Sequence, residues 1–132
     1  MSYLFTSEAV SAGHPDKICD QISDTLLDLF LAADPTAHTA IEAMATTGRI
    51  VIAGETLGNN RPQAEEIENA VRTLIKTIGY DQPGFSYKNV QITDLLHCQS
   101  ADIAAGIKDC GAGDQGLMFG YARKERGFDS EY

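Results

Sequence analysis

The stretch HTAIEAMATTGRIVIAGET, from His38 to Thr56, decides how this chain folds. Its halves, HTAIEAMATT and RIVIAGET, are rich in β-branched and small residues, and Gly48 stands between them. Such runs joined at a glycine read as a β-hairpin. Branched side chains fit a pleated surface, and glycine frees the turn. Upstream, Pro15 suits the first position of a helix, where a missing N–H costs nothing. Ile18, Ile22, Leu26, Leu29 and Ala33 follow at helical spacing, and the helix ends near Asp34 and Pro35. Before it, YLFTSEAV (Tyr3 to Val10) alternates loosely and predicts a first strand, broken by SAGHP. Downstream, NNRPQ is a loop. AEEIENAVRTLIKTIG is a second amphipathic helix, with acids in its first turn, Lys76 near its end and Gly79 as its cap. YKNVQITDLLH (Tyr87 to His97) reads as the last strand. The order is β-α-β-β-α-β, an α+β class domain of two layers with the helices on one face of the sheet.

The chain has 132 residues, which suits one domain, or one domain plus a piece of a second. Hydrophobic residues make up 43% and charged residues 22%, ordinary values for a chain that buries a core. The net charge of −9 repels phosphate backbones and argues against a nucleic-acid partner. No apolar run approaches a membrane span, and MSYLFTSEAVSAGHPDK lacks the pattern of a secretory signal. Cys19, Cys98 and Cys110 match no zinc spacing and read as reduced thiols, pointing to the cytoplasm.

Two clusters carry chemical potential. CGAGDQGLMFGY, from Cys110 to Tyr121, has the G-x-G-x-x-G spacing of a dinucleotide turn at Gly111, Gly113 and Gly116. Its setting disagrees with that use. It follows a polar loop of small residues, precedes a segment of poor helical character, and places Asp114 beside the would-be pyrophosphate. A glycine-hinged loop presenting Asp114 and Gln115 fits better. GHPDK, from Gly13 to Lys17, sets a histidine, an acid and a lysine at a helix N-terminus. That end carries partial positive charge, so His14 and Lys17 could donate to a phosphate and Asp16 could hold a hard cation on it. The plain alternative is a helix start with a favourable first-turn acid. Asp16, Asp20, Asp24 and Asp28 form a stripe that reads as a solvated face. Glu42 and Glu55 lie in the two hairpin strands, either facing solvent or serving as ligands. His97 and Gln99 flank Cys98 at a strand end, a common place for binding residues.

Taken together, LFTSEAVSAGHPDKICDQISD, TGRIVIAGE, QSADI and GAGDQGLMFGYA resemble the S-adenosylmethionine synthetases (methionine adenosyltransferases) in order and spacing, over essentially the whole chain. The resemblance implies an N-terminal portion of a family whose chains are about three times longer and built of three similar α+β domains. It places the N-terminal α+β domain at 1–99, a gate loop at 100–113 and the start of the central segment at 114–132. Only KDC separates DIAAGI from GAGDQG, where the family usually has a longer insert. The family joins the sulfur of L-methionine to C5′ of ATP, releases the intact triphosphate and hydrolyses it. It uses Mg²⁺ and K⁺ at a site between two subunits of a homo-oligomer. By resemblance, His14 and Lys17 are catalytic and ATP-binding residues, Asp16 a Mg²⁺ ligand and Glu42 a K⁺ ligand. Glu55, Gln99 and Asp114 hold methionine. The chain alone is then expected to be inactive; a non-catalytic module pairing with full-length synthetase subunits is the alternative.

Overall fold

A computed structural model describes residues 8–98 of the chain, with residues 4, 6, 117, 119 and 120. Helix α1 runs Pro15–Ala33, and the hairpin follows as β1 (His38–Thr46) and β2 (Arg49–Leu57). Helix α2 (Ala64–Ile78) leads to a small hairpin, β3 (Asp81–Gln82) and β4 (Phe85–Ser86), and then to β5 (Gln91–Cys98). The main sheet has the order β1-β2-β5, with β1 antiparallel and β5 parallel to β2. The parallel pairing requires a long crossover, which α2 provides.

Alternation in the strands separates two faces. Ile41 of β1, Ile50 and Ile52 of β2 and Leu96 of β5 are buried. They form one core with Ile18, Ile22, Leu26 and Phe30 of α1 and Ile67, Val71 and Ile75 of α2. Both helices therefore cover one face, giving the expected two-layer α+β arrangement. The apolar stripe of α1 closes on Phe30; Leu29 only packs at its edge, and Ala33 is exposed. Asp16, Asp20, Asp24 and Asp28 are exposed, as the solvated-face reading expects.

Other expectations need adjustment. Leu4, Thr6 and Glu8–Val10, the described part of the proposed first strand, lie in no strand. The last strand begins at Gln91; Tyr87–Asn89 form a turn instead, held by the N–H groups of Asn89 and Val90 donating to the Ser86 carbonyl. Arg72 explains why that turn packs where it does. Its guanidinium donates to the carbonyls of Tyr87 (2.8 Å) and Val90 (3.0 Å), stapling α2 to the entry of β5. The β3–β4 hairpin was not foreseen, because two-residue strands carry no periodicity. Its Gly84, at φ 88, supplies the backbone freedom that its turn requires.

At the far end of α1, Asp34 closes the helix onto the hairpin. Its carboxylate accepts from the Thr36 hydroxyl (2.7 Å), the Thr36 N–H (2.9 Å) and the Asn59 N–H (2.7 Å). These contacts orient α1 along the sheet. Its N-terminus lies beside Ala45, Thr46 and Thr47 at the hairpin turn, and its C-terminus beside the end of β2.

Candidate functional site

Helix α1 begins as the sequence requires, with Pro15 at its first position and His14 as its cap. The cap is unusual in chemistry: Nδ1 of the His14 ring accepts the N–H of Asp16 at 3.2 Å. A neutral imidazole that accepts at Nδ1 carries its proton on Nε2. The ring thus offers one outward donor, and one donor of the helix end is satisfied within the turn. Lys17 pairs with Asp20 at 3.3 Å, an exposed contact worth a few tenths of a kcal/mol. A multiply charged anion competes readily with such a pair. The Asp16 carboxylate lies 3.9 Å from His14 Nδ1 and is 86% exposed. A shallow groove beside this turn is lined by Glu8, Val10, Lys17 and Asp20.

Two carbonyls leading into the cap are tied down by side chains. The Gln21 amide donates to Ala12 O at 3.1 Å and the Tyr80 hydroxyl to Gly13 O at 2.6 Å. The sequence patterns gave no notice of either residue. Cys19, one turn into the helix, is no ready nucleophile. Burial pushes its thiol pKa up, and the charges of Asp16 and Asp20 add to that, against a lowering contact from the Ala45 backbone.

The other site residues lie elsewhere. Glu42 and Glu55 occupy the sheet face away from the helices, opposite Ala53 and Ala40 in the register. They are diagonal neighbours there, a separation of about 7–8 Å between such positions. Glu55 is level with His97 on β5, and its Oε1 lies 3.4 Å from His97 Nε2. Glu55 thus has a cationic or donor partner that composition alone could not assign. Gln99, Asp114 and the gate loop lie outside the described residues. Among the described residues, no three His, Cys, Asp or Glu side chains gather into a metal-holding group.

The structure therefore unites His14, Asp16 and Lys17 in one turn, and Glu42, Glu55 and His97 on one sheet surface. It does not bring the two groups together. The first lies near the β1–β2 turn on the helix side; Glu55 is six residues along β2 on the other side, about 20 Å of strand away.

The comparisons with known proteins agree with the motifs. A family model for the S-adenosylmethionine synthetase N-terminal domain matches residues 2–101. The chain is 59% identical over 128 residues to an S-adenosylmethionine synthase of Granulibacter bethesdensis, covering 93% of this chain and 32% of that one. It is 55% identical over 129 residues to one of Parvibaculum lavamentivorans, covering 94% of this chain and 33% of that one. A solved S-adenosylmethionine synthetase of Campylobacter jejuni, described as unusual, superposes with a TM-score of 0.67 at 37% identity. That match covers 76% of this chain and 28% of the other. The chain thus spans about a third of the length of the relatives it matches. With GHPDK capping a helix on one side of the sheet and IVIAGE forming a strand beside it, this chain belongs to the S-adenosylmethionine synthetase family, whose N-terminal domain it represents.

Proposed function

We propose that this chain supplies the N-terminal part of an enzyme that makes S-adenosylmethionine from ATP and L-methionine and hydrolyses the released triphosphate. Family membership is the observation that carries the reading; the turn geometry supports it in detail. The Nε2–H of His14 is a fixed donor for an oxygen of the departing triphosphate, where negative charge grows. Lys17 exchanges the weak Asp20 contact for a phosphate oxygen. Glu55 accepts the methionine ammonium, in exchange for His97. Gln99 and Asp114 complete the methionine side, and residues 100–113 act as the gate.

Asp16 fits a Mg²⁺ ligand. It is an exposed carboxylate with both oxygens accessible, suited to a hard cation that keeps its waters and shares a phosphate. A metal held by Asp16 would supply charge neutralisation to the triphosphate. Glu42 offers K⁺ a single carboxylate at the open sheet face.

The two groups of residues stand on opposite faces of one domain. A complete site therefore takes each group from a different copy, and the working form is a homo-oligomer. The outward sheet face suits that pairing, because Met44 and Leu95 are 59% and 57% exposed there. The same face supports a second reading, a non-catalytic module that pairs with full-length synthetase subunits. Free Cys19 and Cys98 suit a reducing cytoplasm. Among the described residues, no helix is long and apolar enough to cross a membrane.

The 132-residue chain incubated with ATP, methionine, Mg²⁺ and K⁺ is expected to yield no S-adenosylmethionine by mass spectrometry. Grafted in place of the matching third of the Granulibacter bethesdensis synthase, it is expected to give an active enzyme. His14→Asn in that chimera should lower kcat by about a hundredfold or more. A folded but inactive chimera sinks the enzymatic reading and leaves the pairing module.

A further inference from the structure

Tyr80 stands 67 residues from the GHPDK turn in sequence, yet its hydroxyl donates to Gly13 O at 2.6 Å. The residue is held from several sides. Gly79 ends α2 in the left-handed conformation at φ 103, and the Tyr80 N–H donates to Ile75 O at 3.1 Å. The Tyr80 carbonyl accepts the Tyr87 N–H at 3.1 Å, and its ring meets Phe85 edge-on at 5.1 Å. The phenol is therefore a fixed post rather than a mobile surface group. The turn is shaped around it: a Cβ added at Gly13 would sit 3.3 Å from the Tyr80 oxygen.

The turn's other polar groups are fixed as well. The His14 N–H donates to Ser11 O at 3.0 Å, and Gln21 holds Ala12 O. Gly13 O belongs to the peptide immediately before His14, so its orientation sets where the His14 backbone, and hence its ring, begins. In this arrangement Nδ1 of the ring accepts the Asp16 N–H at 3.2 Å. A ring released from that cap loses the N–H donor that fixes Nδ1 as the acceptor.

We propose that Tyr80 is a positioning residue: acting through the Gly13 carbonyl, it holds the His14 imidazole in the tautomer that presents Nε2–H outward. The proposal rests on the reading of the GHPDK turn as the triphosphate side of the site, and it concerns a residue outside that motif.

Tyr80→Phe tests it in the full 132-residue chain, keeping the ring against Phe85 and removing only the donor. Long-range ¹H–¹⁵N correlation at pH 8, where an ordinary histidine is neutral, reads the His14 tautomer. The native chain is expected to show Nε2–H, and Tyr80→Phe a mixture of both tautomers. Ile67→Val, a mild change in the core, gives a general loss of stability and should leave the tautomer as it is. Inorganic tripolyphosphate, titrated with Mg²⁺ by calorimetry, is expected to bind Tyr80→Phe about three- to tenfold more weakly than the native chain, the range for one lost hydrogen bond. An unchanged tautomer in Tyr80→Phe overturns the proposal, as does an equal change in Ile67→Val. If the native chain takes up no tripolyphosphate, the phosphate reading of the turn fails, while the tautomer still decides the role of Tyr80.

Discussion

At the scale of single residues, Gly54 and Asp34 are where the backbone constrains chemistry most tightly. Gly54 precedes Glu55 and adopts φ 131, and a Cβ there would drive into the Ala40 carbonyl of β1. Gly54→Ala combines strain with a backbone collision, costing on the order of 3 kcal/mol. We expect a melting temperature lower by roughly 10 °C or more, by circular dichroism. Asp34 carries a carboxyl held down to about 2, from an ordinary 3.8, by the Thr36 hydroxyl first and the Asn59 and Thr36 N–H groups next. A depressed carboxyl means that the unfolded chain binds the proton more readily. The stabilisation is full above about pH 4 and is lost as pH falls toward 2. Urea unfolding at pH 5 and pH 2.5 is expected to show the loss, and Asp34→Asn should flatten that dependence.

At the scale of elements, the helices form for locally visible reasons but are placed by contacts that are not. The start of α2 shows the local kind: the Glu66 carboxylate accepts the Gln63 N–H at 2.7 Å, a reciprocal partner three residues on. Arg72 shows the other kind, reaching Tyr87 and Val90 across the α2–β5 connection. Arg72→Met keeps the stem and leaves two carbonyls without their charged donor, at a cost of about 2 kcal/mol. The expected readout is a lower urea midpoint with an unchanged slope, because the change weakens a staple without altering the surface exposed on unfolding. A midpoint equal to that of the native chain would mean that Arg72 does not staple α2 to β5.

At the scale of the whole molecule, the described residues form a sheet with one face covered by both helices and one that they leave open. The open face carries rows Met44–Val51–Thr93 and Glu42–Ala53–Leu95, ending at Ala40–Glu55–His97. Met44 and Leu95 stand exposed there beside carboxylates, and the proposed pairing would cover them. Leu95→Lys places charge at its middle and should move the species seen by analytical ultracentrifugation from dimer to monomer, with the far-ultraviolet spectrum unchanged. A native chain that sediments as a monomer at all concentrations would count against pairing through this face.

Local pattern alone determined a good deal. Pro15, the apolar spacing of α1, Gly48, and Gly79 as a left-handed cap placed both helices and the hairpin, because these signals act within a few residues. The same locality made GHPDK legible as a helix-end cluster. It also has limits: Glu8–Val10 and Tyr87–Val90 fall in segments with strand-forming residues, but among the described residues they have no ladder partner, and propensity yields to pairing. Only the tertiary structure decided which groups meet. Glu55 finds His97 through the parallel register of β2 and β5, and Gly13 finds Tyr80 across 67 residues. It also put the histidine turn and the two glutamates on opposite faces of one sheet. Such contacts depend on how elements pack and align, a choice made by the shared core, and no short stretch of sequence records it.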